Sequence, residues 1–483
     1  MRILVLAAVV VAIALAVASP RPEPAPPLRL ADGRLPNVLL LTIDTLRADH
    51  LGHVASGPSD LTPSLDALVD GGTVFLAATT PAPTTRTATT SLLTGAYRGT
   101  HGVYTNSWSL GSKVPVLAES LGRAGYRTAA FFGNGILASE YGFGRGFETY
   151  ESFANYPGRG FSKDEVGVAR AVEWLESSPA EPWFLWVHLM DPHGPYDSAP
   201  KSVRRGVARD DARPERVLEA VRRNTGLGVL PRYQAIPGVR RASVYRWRYR
   251  AEVRHSDAQA GKLLAALEDL DLTESTLVVL TADHGEGLGD HDYFFQHGWL
   301  ADEGSIAIPL AMRLPRRIPA GARIESPVSL VDVAPTLLGG LGLPVPRAME
   351  GRDLSRAIAA GRPEKVADAP VFSAATLLSG ISSVRLGRWK LVHTPGPLAA
   401  GVREDDPWEP YYEREESYRL YDVRADPGET EDLAQRHPQR VARMRALLDE
   451  WERAQSLDTI QRARPEPVDE RLRDMLRSLG YVD

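Results

Sequence analysis

Three unbroken apolar runs constrain this chain more than any other feature of its sequence. Asn37–Ile43, Trp183–Leu189 and Thr276–Thr281 lack the polar–apolar alternation of a half-exposed strand. Such runs are expected of strands buried on both faces, the condition of a parallel sheet covered by helices. The first run stops at Asp44. The second carries His188 near its end and is followed by Asp191 and His193. The third stops at Asp283-His284-Gly285. Ligands bind at the C-terminal edge of the strands in open α/β sheets, so acids and imidazoles are expected to gather on one edge. Apolar residues at helical spacing over Val114–Ala124, Asp164–Ser177 and Ala251–Leu270 supply covering layers. The expected fold is therefore α/β, with a mostly parallel central sheet between helices. A length of 483 residues accommodates one large domain over 37–363 and a smaller α+β unit over 364–483. The smaller unit is expected to carry strands near Ile381–Val392 and Arg419–Val423, a helix over Val441–Ala454, and a short tail helix within Val468–Asp483.

The ends and the composition narrow the function classes. Ile3–Ala18 is apolar, closes on Ala16-Val17-Ala18, and runs into a proline-rich linker over residues 19–36. Sixteen residues of helix rise about 24 Å, short of the roughly 30 Å hydrocarbon core. Residues 1–18 thus read as an export signal cut before Ser19, with an uncleaved anchor as the alternative. Either places the remainder in the periplasm or outside the cell, with any membrane contact through this segment alone. A net charge of −5 gives no basic field for nucleic acid. The absence of cysteine excludes disulfides, cysteine–metal sites and a cysteine nucleophile. Residues 201–250 are rich in arginine and read either as a solvated insertion or as a lid facing an anionic substrate.

Asp44, Asp283 and His284 offer oxygen and nitrogen donors at strand ends, and a hydroxyl from another loop would complete a metal site. The threonine-dense stretch Thr79–Gly95 supplies hydroxyls. It reads either as a loop of helix-capping threonines or as a nucleophile at a helix start, where free N–H groups favour an anion. Asp257 reads either as a helix-packing residue or as one that reaches the site.

Several motifs, in order, resemble the sulfatase branch of the alkaline phosphatase superfamily. They are Asp44-Thr45-Leu46-Arg47, Ser91-Leu92-Leu93-Thr94-Gly95, His101-Gly102-Val103, Asp191-Pro192-His193-Gly194-Pro195-Tyr196, Asp283-His284-Gly285-Glu286 with His291 and His297, Asp332-Val333-Ala334-Pro335-Thr336, Trp389-Lys390, and Leu420-Tyr421-Asp422-Val423 with Asp426-Pro427-Gly428-Glu429. The resemblance implies an alkaline-phosphatase-like three-layer sandwich and hydrolysis of sulfate or phosphate esters. It also implies a metal held by Asp44, Asp283, His284 and the nucleophile. Sulfatases convert a cysteine or serine to formylglycine. Counting back from Thr94-Gly95 lands that position on Thr85, with Thr84 the competitor if the loop shifts by one. Threonine cannot become formylglycine. The lysines expected near Asn134 and before His297 are also missing, the latter replaced by Gln296.

A threonine nucleophile with an Asp–His metal set is similar to phosphodiesterase and phosphoethanolamine-transferase relatives in the same superfamily. One or two ions are implied, and mixed nitrogen and oxygen donors favour Zn²⁺ or Mn²⁺ over Ca²⁺. Thr85 is expected to attack, with His193 and His297 serving a second metal or the leaving group. Asn134, the helix start and the neighbouring Arg86 are placed against substrate oxygens. His188 is expected to support a ligand from behind, and His291 to fix a loop. A phospho-alcohol transferase to a cell-envelope glycan and a non-catalytic binding protein on the same scaffold are the alternatives.

Overall fold

The computed structural model describes residues 28–455 apart from 31, 53–59, 155–161, 210, 222–225, 361–365, 377–378 and 397–414. The N-terminal apolar segment 1–18, most of the proline linker and the tail helix expected within Val468–Asp483 lie outside the described residues. No helix among the described residues is long and apolar enough to cross a membrane.

The three apolar runs are adjacent strands at the centre of an eight-stranded sheet. Its strands are β1 (Asn37–Ile43), β2 (Thr73–Phe75), β3 (Arg127–Phe132), β4 (Thr149–Ser152), β5 (Trp183–Leu189), β6 (Thr276–Thr281), β7 (Leu310–Arg313) and β8 (Ala322–Ile324). Their spatial order is β8-β2-β7-β6-β1-β5-β3-β4. Both neighbours of β1 run parallel to it, and β7 pairs antiparallel with both of its own neighbours. Val38, Leu39, Leu40, Leu41 and Ile43 have no exposed surface. Each such side chain contributes roughly 1.5–3 kcal/mol of burial, which explains the unbroken run. Helix α1 (Thr85–Thr94) follows a threonine-rich loop. Helices α2 (Lys163–Glu176) and α3 (Ala242–Asp269) pack on each other beside the sheet. The 28-residue α3 begins nine residues earlier than its expected start at Ala251, so the end of the arginine-rich segment is helix. Asp257 on α3 accepts from Leu65 N–H at 2.9 Å, the helix-packing role expected of it.

The His-Gly-Val motif closes the turn behind α1. His101 Nδ1 accepts from Val103 N–H at 3.0 Å, so its proton sits on Nε2 and points to Ser91 Oγ, also 3.0 Å away. Burial, and then Arg98, push this imidazole down to about 3. A depressed folded value means the stability is whole above the ordinary value of 6.5 and is lost as pH falls toward 3. At pH 4.5 the loss should be about 2–3 kcal/mol. His101→Asn keeps an acceptor for Val103 but cannot titrate. Its urea midpoint should therefore drop less than that of wild type between pH 8 and 4.5, and equal drops would remove the assignment.

The C-terminal strands β9 (Val371–Ala374), β10 (Ser382–Leu386), β11 (Trp389–Thr394) and β12 (Ser417–Asp422) form an antiparallel sheet in chain order. Met444, Leu448 and Trp451 of helix α4 (Pro438–Ala454) pack on Val384, Leu391 and Leu420. Lys390 is fully buried, with Nζ 3.1 Å from Glu303 and 2.9 Å from Glu429. The Trp-Lys and Asp-Pro-Gly-Glu motifs are thus two parts of one buried ion group. Glu303 opens the one-turn helix Glu303–Ile306, whose Gly304 and Ser305 carbonyls accept from Glu286 and Gly285 N–H at 3.1 and 2.9 Å. Lys390→Met should keep the buried stem yet strand two carboxylates, at a cost of about 3–5 kcal/mol. Urea unfolding measures this, and a change below about 1 kcal/mol would show that water replaces the ammonium.

Candidate functional site

Strand register decides which strand-end residues meet. Thr42 of β1 lies opposite His188 on β5 and Thr281 on β6. Asp44 and Asp283 each follow two residues beyond those threonines, so Asp44, His188 and Asp283 converge. One donor atom from each lies within 4.8 Å of the others. Asp44 Oδ1, His188 Nε2 and Asp283 Oδ2 are buried and have no hydrogen-bond partner. Buried polar atoms are normally paired, and leaving three together unpaired costs several kcal/mol, on the order of 1–3 each. Two carboxylate oxygens and an imidazole nitrogen are together satisfied by a divalent cation. The residues present fit such an ion.

Thr84 is the N-cap residue of α1 and Thr85 its first helical residue. Thr85 Oγ1 lies 3.2 Å from His284 Nε2. His284 Nδ1 is 2.9 Å from the Gly285 carbonyl, which can only accept, so Nδ1 carries the proton and Nε2 accepts from the Thr85 hydroxyl. The same Nε2 is 3.5 Å from Asp283 Oδ2 and 3.8 Å from Asp44 Oδ1. His193 is held by Nδ1–H on its neighbour's carbonyl, Gly194 O, at 2.7 Å. The His297 ring lies 5.1 Å from that of His193 and 4.3 Å from that of His284, centre to centre. Thr85, Asp44, Asp283, His284, His193 and His297 are therefore brought together, all buried.

Three side chains have partners that spacing in the sequence did not indicate. Asn134 Nδ2 donates to Asp44 Oδ2 at 3.0 Å and its Oδ1 accepts from Ile136 N–H at 3.1 Å, so it orients Asp44. The Arg86 guanidinium donates to Ile136 O at 2.6 Å and Trp108 O at 3.2 Å and stacks 4.0 Å over Tyr141. It braces the loops behind α1. The Arg86 N–H, one of the first of the helix, is held by Asn106 Oδ1 at 2.9 Å. His188, expected behind the ligands, stands among them, and the signal for it was the Thr42–His188 register. Glu286 and Tyr196 lie inside recognisable motifs and received no role from sequence, although both reach the site. His291 faces the C-terminal unit, 3.9 Å from Glu429, in keeping with a loop-fixing residue.

The sulfatase family model matches residues 36–343, well over half of the chain. The chain belongs to the sulfatase family. It is 29% identical over 371 residues to an ulvan-active sulfatase of Formosa agariphila, covering 71% of this chain and 69% of that protein. It is 26% identical over 403 residues to the multifunctional alkaline phosphatase superfamily protein PehA of Trinickia caryophylli, covering 68% and 78%. The phosphonate monoester hydrolase of Agrobacterium radiobacter shares its fold, with TM-score 0.69, 22% identity and coverage of 87% and 96%. The three-layer architecture expected from the sequence is that of this family.

Electrostatics in this sulfatase-family site follow from burial and crowding. Burial, reinforced by the Asp44 charge, pushes Asp283 up to about 6. Burial opposes ionisation of Asp44 as well, but the imidazoles of His193, His188 and His284 hold its carboxyl below the usual range. Burial pushes Glu286 up to about 7. Burial, then His284 and His193, push His297 well below its ordinary value. Two buried acids side by side call for added positive charge, as an ion would bring.

The arginine-rich segment is neither wholly solvated nor a bare positive lid. Arg213 donates to Leu288 O at 2.9 Å, Arg216 pairs with Asp292 at 2.8 Å, and Arg246 pairs with Asp211. Tyr233 OH reaches Gln296 Oε1 at 3.3 Å. These contacts brace the loop that carries Gln296 and His297.

Proposed function

We propose that the protein is an exported, metal-dependent hydrolase of phosphoric or sulfuric esters with Thr85 as its nucleophile. The observation that carries the reading is the Thr85 hydroxyl, at a helix start, 3.2 Å from an unprotonated His284 Nε2 and beside three unpaired metal-type donors. A divalent cation, Zn²⁺ or Mn²⁺ rather than Ca²⁺, would be held by Asp44, His188 and Asp283 with His284 and Thr85 on the same rim. When bound it supplies positive charge that eases ionisation of the hydroxyl and polarises the ester. Asn134 keeps Asp44 in place. His284 receives the hydroxyl hydrogen, Thr85 Oγ attacks in line, and an imidazole of the His193–His297 pair hands a proton to the leaving oxygen. A threonine ester has no second hydroxyl on Cβ through which to collapse, so water must attack the central atom to release it. That requirement favours phosphoric over sulfuric esters. The likeness to a protein described as multifunctional suits a site of broad ester range. Export is supported by Ile3–Ala18 and its Ala-Val-Ala end.

The test is acid quenching during turnover of aryl sulfate, phosphate monoester, phosphate diester and phosphonate substrates, with peptide mass mapping. A phosphoryl, phosphonyl or sulfuryl adduct is expected on the peptide containing Thr85. Turnover with no adduct there, and with Thr85→Ala still active, would mean that water attacks directly.

A further inference from the structure

Glu286 closes the Asp-His-Gly-Glu motif, yet the reading above gives it no part. Its position is fixed through its own backbone. The N–H donates to Gly304 O at 3.1 Å, and the carbonyl accepts from Arg47 Nη1 at 3.1 Å. The carboxylate is fully buried between two side chains. Oε2 accepts from Tyr196 OH at 3.0 Å, and Oε1 faces His297 Nδ1 at 3.4 Å. Tyr196 thus holds one oxygen so that the other stays on the imidazole.

The three imidazoles around Thr85 are held by different means. His284 and His193 each place Nδ1 on a backbone carbonyl, at 2.9 and 2.7 Å. His297 places Nδ1 on a carboxylate. A carbonyl fixes the tautomer and adds no formal charge. A carboxylate fixes the tautomer and also favours the ring as a cation, as the buried acid of a Ser-His-Asp triad does, and so opposes the burial and the His284 and His193 rings that push His297 down. The ring that must hold and release a proton is the one served by the carboxylate.

We propose that His297, rather than His193, protonates the leaving group and that Glu286 is its positioning residue. This rests on the hydrolase reading above and deepens it. In the step, the bond between the central atom and the leaving oxygen breaks as Thr85 Oγ bonds to that atom. The leaving oxygen takes the proton from His297 Nε2, and the N–H electron pair stays on the ring. Nδ1–H remains on Glu286 throughout. In the release step a water oxygen bonds to the central atom as its bond to Thr85 Oγ breaks; the water gives a proton to His297 Nε2, and His284 Nε2 returns to Thr85 Oγ the hydrogen it had taken.

Two measurements on Glu286→Gln test this. The amide is isosteric, so the fold should survive, and near-ultraviolet circular dichroism and melting temperature verify it. First, kcat/KM is compared across a series of esters running from 4-nitrophenyl to alkyl leaving groups. The variant should lose within about tenfold on 4-nitrophenyl, whose oxygen leaves without help, and about 10²–10⁴-fold on alkyl esters, where a general acid matters most. A loss of equal size across the series overturns the proposal and leaves Glu286 a merely structural residue. The series also separates the two histidines: His297→Gln should steepen the leaving-group dependence, and if His193→Gln does so instead, the assignment is wrong. Second, long-range nitrogen-15 spectra of the zinc-loaded protein report the His297 tautomer without turnover. Wild type should show a protonated Nδ1, and so should Glu286→Gln, whose amide oxygen can still accept, whereas Glu286→Leu, which offers no acceptor, should not. An unprotonated Nδ1 in wild type refutes the positioning role whatever the activity. Failure of the underlying hydrolase reading looks different: wild type then turns over none of the series while the His297 tautomer is still as stated.

Discussion

Replacing Thr85 with alanine should lower kcat/KM by about 10⁴-fold or more, equivalent to at least roughly 5.5 kcal/mol of barrier. Stability should hardly follow. The N-cap position belongs to Thr84, so Thr85→Ala removes a buried methyl and the hydrogen bond to His284, a cost of about 1–2 kcal/mol. Turnover and melting temperature measured on one preparation separate the two effects. Thr84→Ala is the control. Its side chain makes no capping hydrogen bond, so activity should stay within about tenfold of wild type. Dead Thr84→Ala with active Thr85→Ala would place the attacking residue one position earlier. Activity in both would end the covalent route.

In the presence of a chelator, Asp283→Asn should be more stable than wild type. Burial and the neighbouring Asp44 raise the Asp283 carboxyl to about 6 in the folded chain, from an ordinary 3.8. An acid with a raised folded value destabilises as it ionises. The penalty therefore grows as pH climbs from the ordinary value to the folded one and is constant above it. At pH 8 it is about 3 kcal/mol, and the uncharged amide should recover most of it. Adding Zn²⁺ or Mn²⁺ should then invert the order. A ligand that binds only the folded state stabilises in proportion to the logarithm of its concentration over Kd, so wild type should gain and the variant should not. Hydrolysis should be lost in the variant. Metal analysis by mass spectrometry should find well under one ion per chain in Asp283→Asn and in His188→Ala. A full complement in both would move the ion elsewhere.

The sheet was legible because fully buried parallel strands leave no alternation, and Leu39, Val187 and Val279 belong to runs without a polar–apolar period. Asp44, Asp283, His284 and Thr85 were legible because each ends or begins an element, and sheet topology sends those ends to one edge. Residues whose role depends on a partner far away in sequence were harder. Asn134 and Arg86 both looked like substrate ligands, being polar and near the expected site. Their partners, Asp44 and Ile136, are set by how loops fold back, and spacing carries no trace of that. His188 needed the register of β1 against β5. Glu286 was in plain view, but its contacts are with Tyr196 and His297, 90 residues before and 11 residues after it.

The buried Lys390 bears on how such a chain can be inherited. Its partner Glu303 sits on the one-turn helix whose carbonyls hold Gly285 and Glu286. A chimaera that takes its last hundred or so residues from a distant homologue must therefore bring a cation to meet Glu303, or exchange that helix as well. Gene shuffling at the apparent boundary near residue 364 should yield mostly insoluble product, and crossovers that carry residues 302–306 with the C-terminal sheet should be rescued. Diversification of this protein is thus expected to proceed by point changes and loop insertions within an intact chain, since the part that looks like an appendage is tied through Glu303 to the backbone of Gly285 and Glu286.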